Sequence, residues 1–192
     1  MAATCSSRSI WYPRLILKAP QLPLPPLTTT RHELPAPEHE EDHDDDTRGR
    51  ESHGIEFLVE DVDFELADAE ALTSWIERVA AVHEHEIVQL TYIFCSDEYL
   101  HRVNVEYLDH DTYTDVITFD NADDADIIEG DVFISVERVR ENAAKLGVTF
   151  RDELHRVMIH GMLHLLGYQD KDLLSQTAMR KKEDDCLSLR TF

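Results

Sequence analysis

The sequence VMIHGMLHLLGYQD, residues 157–170, predicts a buried helix that ends in a sharp reversal of the chain. Its first ten residues are apolar or glycine except for His160 and His164, and a helix that is apolar on nearly all sides is a buried one. At positions i and i+4 the two imidazoles lie on one face and aim at a common point. Gly167 is a typical helix-ending residue, and the returning chain brings Asp170 toward the same point. The spacing predicts three ligands for one metal ion, with a fourth coordination position open.

A simpler interpretation of the two histidines is also open. A single buried histidine is usually a core residue with a satisfied hydrogen bond, and His-x-x-x-His spacing also arises by chance. Two histidines in one apolar helix, followed by a helix-ending glycine and a carboxylate at the return position, favour the metal site. The carboxylate is a hard oxygen ligand, so manganese or iron is compatible with the site, although zinc is the metal that the spacing predicts.

The chain is strongly acidic. It has 40 Asp and Glu residues against 18 Lys and Arg residues, and its formal net charge is −22. Indiscriminate nucleic-acid binding depends on basic side chains that neutralise phosphates, so the composition argues against it. An acidic surface also suits a salt-rich cytoplasm, which we keep as a hypothesis. No apolar run approaches the roughly 20 residues that span a membrane. The three cysteines are widely spaced without a C-x-x-C motif, which fits a reducing cytoplasm.

Residues 1–53 are predicted to be a disordered arm that precedes a single domain of residues 54–192. Six prolines between residues 20 and 37 interrupt regular structure. Residues 38–46 are nearly all acidic or histidine, so this run repels itself and stays solvated. The segment lacks the apolar centre and the cleavage site of a targeting signal.

Apolar periodicity and turn residues predict the order β-α-β-α-β-β-α-α-α for the rest of the chain. The predicted strands are residues 55–59, 87–95, 116–119 and 131–136, of which the last two pair as a hairpin. The predicted helices begin near Asp68, Ser96, Glu137 and Thr149, and a polar helix follows at residues 173–189. This order is typical of an α+β domain in which a small mixed β-sheet packs with helices. The zinc site then lies on a buried helix, in a zincin-like His-x-x-x-His arrangement.

The residue types of the site favour some reactions over others. In the zinc-peptidase motif His-Glu-x-x-His the glutamate is the general base, but the residue after the first histidine is Gly161 here, which argues against peptide hydrolysis by that route. The sequence contains neither a glycine-rich phosphate loop nor a G-x-S-x-G motif. Three protein ligands with an open position are the arrangement of a catalytic metal, which acidifies bound water and stabilises charge on an attacked oxygen.

Several segments resemble the YbeY family of endoribonucleases. The sequence HGMLHLLGYQD at residues 160–170 is similar to the family signature, and Asn104 with Tyr107 also matches in order. TDVITF at residues 114–119 resembles the family's T-D-V-L-S-F, and GDVFI at residues 130–134 resembles its G-D-I-x-I strand. The resemblance covers about residues 54–189. It implies a zinc-dependent, single-strand-specific endoribonuclease that acts near the 3′ end of small-subunit (16S) rRNA and in ribosome quality control.

The chain departs from the family pattern at two positions. The usual signature ends in Gly-Tyr-Asp-His, with histidine as the third ligand, whereas residues 167–170 are GYQD here and end in Asp170. This substitution keeps a side chain that binds metals at the same position. The arginine that commonly follows the family's Asn-x-x-Tyr, and that is implicated in its activity, is Leu108 here.

Other arginines are candidates for the role of the missing one: Arg102, Arg138, Arg140 and Arg156. We favour Arg156 because it lies one turn before His160 on the same helix face. The alternative interpretation is a surface arginine that pairs with Asp152 or Glu153. Asp115 is predicted to be a turn acceptor rather than a carboxylate near the metal.

We therefore expect a zinc-dependent endoribonuclease with one Zn²⁺ ion held by His160, His164 and Asp170, and with His160, His164 and Arg156 as its catalytic residues. The expected partners are single-stranded rRNA and the small ribosomal subunit, reached in the cytoplasm with the help of a ribosomal protein or assembly factor; no membrane is involved. Two alternatives stay open. One is a non-catalytic, zinc-containing ribosome-assembly factor, which the acidic surface and Leu108 favour. The other is a metal-dependent hydrolase of another substrate.

Overall fold

The structure is a computed structural model that describes the backbone of residues 15–18 and the whole of residues 54–192. Its strands are β1 (Leu15–Lys18), β2 (Gly54–Glu60), β3 (Glu86–Cys95), β4 (Val116–Asp120) and β5 (Ile127–Ser135). Its helices are α1 (Ala69–Val82), α2 (Asp97–Leu108), α3 (Val136–Leu146), α4 (Phe150–Leu165) and α5 (Leu173–Leu187). Within the described ranges, no helix combines the length and the apolar character that crossing a bilayer requires.

The strands form one mixed sheet in the order β1-β4-β5-β3-β2. Strand β3 runs parallel to both β2 and β5, whereas β4 and β5 are antiparallel. The predicted α+β class and the predicted hairpin are therefore confirmed. The larger core lies between one face of the sheet and helices α1, α3, α4 and α5, and the smaller core lies between the other face and α2.

Strand β1 lies within the segment that the sequence analysis assigns to the arm. Its backbone runs parallel to β4, with Leu15 opposite Ile117 and Lys18 opposite Asp120. The strand supplies backbone groups to the edge of β4, and the disorder of the arm as a whole stays a prediction. The remainder of residues 1–53, to which the predictions about prolines and the acidic run refer, lies outside the described residues.

Strand β5 begins at Ile127, earlier than the predicted start at residue 131. In the structure Gly130 lies within β5, where the backbone of β4 and the side chain of Leu165 approach closely. A Cβ atom at this position would lie 2.5 Å from the carbonyl oxygen of Phe119 and 2.8 Å from Cδ2 of Leu165. The glycine therefore serves close packing rather than a turn.

Helix α4 has the burial and the ends that the sequence predicts. Every residue from Val157 to Leu165 is buried. Thr149 caps its start, since the hydroxyl oxygen accepts a hydrogen bond of 3.0 Å from the backbone N–H of Asp152. Gly167, with a φ of +84°, follows its end in the left-handed conformation.

Gly161 sets the distance between α4 and the sheet. A Cβ atom there would lie 2.5 Å from Cγ1 of Val132 on β5 and 3.2 Å from the hydroxyl oxygen of Thr118 on β4. The position that carries the glutamate base in zinc peptidases thus faces the sheet, where a side chain has no room. The absence of that base follows from the packing of the fold.

The first prediction concerns this contact. Gly161→Ala should lower the free energy of unfolding by about 1–3 kcal/mol, because Val132 is β-branched and cannot swing away. This loss outweighs the gain of up to about 1 kcal/mol that alanine offers inside a helix. Equilibrium urea denaturation measures the change. Because Val132→Ala removes the clashing methyl group, Gly161→Ala should cost less in that background than in the wild type in a double-mutant cycle. A single variant as stable as the wild type would contradict the close contact.

His155 joins the C-terminal residues to α4 as a neutral ring. It is buried against Trp75 and Phe192, with ring centroids 5.5 and 5.6 Å away. Arg190 donates a hydrogen bond of 2.8 Å to its Nδ1 atom. Burial, followed by the charges of Arg190 and Arg151, lowers the pKa of His155 to about 4.

The second prediction follows from this pKa. In the unfolded chain His155 takes up a proton near pH 6.5, whereas the folded protein resists it down to about pH 4. The contribution of His155 to stability is therefore complete above pH 6.5 and is lost as the pH falls toward 4, by roughly 3 kcal/mol at most. His155→Gln, which keeps an acceptor for Arg190, should show a shallower loss of stability over this window. Urea denaturation at a series of pH values tests it, and equal slopes for the two proteins would contradict it.

Candidate metal site

The structure brings the three predicted ligands together beside α4. One ligand atom from each of His160, His164 and Asp170 lies within 4.8 Å of the other two. Oδ2 of Asp170 is 3.7 Å from Nε2 of His160 and 4.0 Å from Nε2 of His164. Ligand atoms of a tetrahedral zinc ion with bonds of about 2 Å are roughly 3.3 Å apart, so Oδ2 of Asp170 is within roughly 1 Å of the separation from each imidazole nitrogen that an ion requires. All three side chains are buried.

The end of α4 explains how Asp170 reaches the histidines. The backbone N–H of Gly167 donates to the carbonyl oxygen of His164 at 2.9 Å, and that of Tyr168 donates to the carbonyl oxygen of Leu163 at 3.0 Å. These bonds reverse the chain within one turn of the helix end. The short return places Asp170, two residues after Tyr168, in front of both imidazoles.

Hydrogen bonds behind the imidazoles fix which nitrogen faces Asp170. The ring Nδ1 of His164 lies 2.9 Å from the carbonyl oxygen of Tyr168, and that of His160 lies 2.8 Å from Oε1 of Glu183. A carbonyl oxygen and a carboxylate oxygen both accept, so each Nδ1 carries the proton of the neutral ring. Each Nε2 then carries the lone pair, which is the state of an imidazole that ligates a metal. Two imidazole nitrogens and one carboxylate oxygen fit a divalent transition metal.

Glu183 is the residue of the candidate site that the sequence analysis missed. Its side chain is fully buried on α5, and its Oε2 atom lies 3.1 Å from Nη1 of Arg156 and 3.0 Å from Nη1 of Arg180. In the sequence Glu183 is one acid among several in a polar helix. One signal points to it: Met179 and Cys186, four residues before and three after, form the buried face of α5 and share that face with Glu183.

Arg156 lies one turn before His160, as the sequence predicts, and its side chain turns to α5. Its Nη1 atom is 3.1 Å from Oε2 of Glu183 and 2.8 Å from Oδ1 of Asp184. The ion pairs of Arg156 are thus with carboxylates of α5, whereas the alternative interpretation predicted Asp152 or Glu153 of its own helix. The other candidate arginines are held elsewhere: Arg102 by Asp61, Arg138 by Asp97, and Arg140 over the ring of Phe150.

Asp115 is fully buried between β4 and α3. Its side chain accepts a hydrogen bond of 3.2 Å from Asn142, and its carbonyl oxygen accepts one of 3.0 Å from the backbone N–H of Ser135. The group of potential metal ligands found among the described residues contains His160, His164 and Asp170 and does not include Asp115.

Comparison with known proteins finds a family model and curated relatives that share one description. Residues 56–190 match the family described as Endoribonuclease YbeY. An endoribonuclease YbeY of Cytophaga hutchinsonii is 49% identical over 138 residues, which are 72% of this chain and 96% of that protein. Another, of Amoebophilus asiaticus, is 51% identical over 129 residues, which are 67% of this chain and 88% of that protein. The solution structure of a Thermotoga maritima protein has a TM-score of 0.52 at 24% identity, covers 70% of this chain and 87% of that one, and supports the fold alone.

Proposed function

The chain belongs to the YbeY endoribonuclease family, and from this membership we propose that it is a metal-dependent enzyme that hydrolyses phosphodiester bonds of single-stranded RNA. The resemblance inferred from its motifs is confirmed by the match over residues 56–190. The observation that carries the metal dependence is the convergence of two imidazole Nε2 atoms on Oδ2 of Asp170, at 3.7 and 4.0 Å.

The proposed cofactor is one zinc ion per chain, held by His160, His164 and Asp170. A bound divalent ion would polarise the phosphodiester and stabilise the negative charge that develops on its oxygens. Asp170 brings a negative charge where a third histidine would be neutral, so it leaves the ion less positive and adds a hard oxygen ligand. Manganese and iron are therefore metals to test beside zinc.

The protein's own residues prepare the site for this ion. Glu183 and the carbonyl oxygen of Tyr168 hold the protons of the two Nδ1 atoms and so direct both Nε2 lone pairs forward. Burial keeps competing water away from the ligands. Gly161 packs against Val132 and leaves no room for the base of zinc peptidases, so the geometry argues against peptide hydrolysis by that route.

We place the substrate in ribosomal RNA precursors, with maturation of the 16S rRNA 3′ end and ribosome quality control in the cytoplasm as the biological roles. Family membership supports this proposal. The net charge of −22 weakens encounters with free RNA, so we propose that the small ribosomal subunit, through a ribosomal protein or an assembly factor, brings the RNA to the site.

A second candidate function is favoured by two observations. The chain is acidic, and Leu108, at the end of α2, stands where the family commonly has an arginine. Both fit a non-catalytic ribosome-assembly factor in which the ion joins α4 to the loop that carries Asp170. The cleavage assay below separates this function from the nuclease.

The third prediction is cleavage of single-stranded RNA by the purified protein loaded with zinc or manganese. Cleavage should stop on addition of EDTA and should fall at least about 100-fold in His164→Ala, because this variant loses one of three ligands. Double-stranded RNA of the same sequence is the substrate control, and circular dichroism checks the fold of the variant. Full metal occupancy without RNA cleavage would favour the assembly factor, and cleavage of simple esters instead would favour another hydrolase.

The fourth prediction concerns the third ligand. Untagged wild-type protein should contain about one divalent ion per chain by elemental analysis, and Asp170→Ala should lose it, because two imidazoles alone hold an ion weakly. Asp185→Ala, which removes an exposed carboxylate of α5, is the matched control and should keep the ion. Full occupancy in Asp170→Ala would mean that the histidines bind the ion with another partner.

A further inference from the structure

We propose that Arg156 and Arg180 are positioning residues that act on the metal site through Glu183; this inference rests on the metal site proposed above. One oxygen of Glu183, Oε1, lies 2.8 Å from Nδ1 of His160. The other oxygen, Oε2, accepts a hydrogen bond from each guanidinium group, at 3.1 Å from Nη1 of Arg156 and 3.0 Å from Nη1 of Arg180. The carboxylate is thus held at both ends, with a candidate metal ligand on one side and two cations on the other.

Burial makes the two arginines necessary for this arrangement. The side chain of Glu183 has no exposed surface, and a buried carboxylate is costly unless charged partners compensate for its lost hydration. Arg156 and Arg180 are 20% and 32% exposed, so they cover Glu183 and connect it to the surface. Since they come from α4 and α5, respectively, the carboxylate also joins the two helices.

The orientation of Glu183 controls the imidazole of His160. An acceptor behind Nδ1 fixes the rotation of the ring and keeps Nε2 as the ligating atom. If either arginine is removed, Oε2 loses a donor, and the carboxylate is free to turn toward the remaining one. His160 then loses its fixed orientation, and the metal affinity falls although no ligand has changed.

This role differs from direct contact with the scissile phosphate, which the sequence suggested for Arg156. Arg156 and Arg180 line a cavity of about 480 Å³, together with residues such as Asp184 and Arg190. No metal ligand belongs to the lining of that cavity. A phosphate bound in this cavity would therefore meet Arg156 and Arg180 among lining residues that include none of the three candidate metal ligands.

Metal affinity, measured without RNA, tests the inference. Titration of the metal-free proteins with Co²⁺ or Zn²⁺ against a chromophoric chelator should show roughly 10–100-fold weaker binding in Arg156→Gln and in Arg180→Gln. Arg156→Lys, which keeps the charge, should recover most of the affinity. Arg190→Gln is the matched control: Arg190 lines the same cavity but bonds His155 and Asp152, so the metal affinity should stay at the wild-type value.

A double-mutant cycle shows whether Arg156 acts through Glu183. Glu183→Gln alone should weaken metal binding by roughly 10–100-fold. In that background Arg156→Gln should change the affinity by less than roughly twofold, because its partner is already lost. Arg180→Gln, the more exposed site, provides the same comparison if Arg156→Gln fails to fold.

Three outcomes would overturn the inference. The first is an equal effect of Arg156→Gln with and without Glu183. The second is an unchanged metal affinity of Arg156→Gln combined with a raised KM for RNA, which would mean that Arg156 binds the substrate. The third is wild-type protein that binds no divalent ion. This last outcome would also remove the proposed metal dependence, whereas the first two leave it intact.

Discussion

Two imidazoles inside an apolar helix need a polar partner at each ring nitrogen, and this requirement organises the surroundings of α4. The carbonyl oxygen of Tyr168 meets Nδ1 of His164, and Glu183 meets Nδ1 of His160. The first partner requires the chain to reverse directly after the helix, and the second requires α5 to pack beside it. Asp170 lies on the connection between these two features. The reversal, the packing of α5 and the assembly of the three ligands are therefore consequences of one constraint.

The sheet supplies the rigid side of the same arrangement. Because Gly161 has no Cβ atom, the backbone of α4 packs directly against the side chain of Val132 on β5. Because Gly130 has none, the side chain of Leu165 packs directly on the backbone of β5. The helix is fixed at two points, one on each side of His164. Close packing of this kind resists small displacements, since each shift costs either contacts or a clash. These packing residues bind no metal, but they fix the position of α4 and therefore of its two candidate ligands.

The parts of this structure that the sequence predicts are those encoded locally. Periodicity predicts α4, the cap at Thr149 and the glycine stop at Gly167 predict its ends, and the spacing of three side chains predicts their convergence. Glu183 was missed because its burial depends on the packing of α5 on α4, which no local pattern in a polar helix reveals. The start of β5 was predicted too late for the same reason, since residues 127–129 pair with the neighbouring strand β3. Prediction succeeded where neighbours in sequence carry the information, as in α4 and the β4–β5 hairpin, and failed where the packing of elements distant in sequence decides.

The charges next to the proposed ion differ from the strongly negative charge of the whole chain. Glu183 pairs with Arg156 and Arg180, and Asp170 contributes one negative charge to the three candidate ligands. A divalent ion would then keep net positive charge for an anionic phosphodiester, in a chain whose total charge is −22. The acidic surface acts in the opposite direction, because it lowers the rate at which free RNA reaches the site. In the proposed enzyme a locally cationic centre within an acidic protein favours RNA that a ribosomal partner presents over RNA that arrives by diffusion.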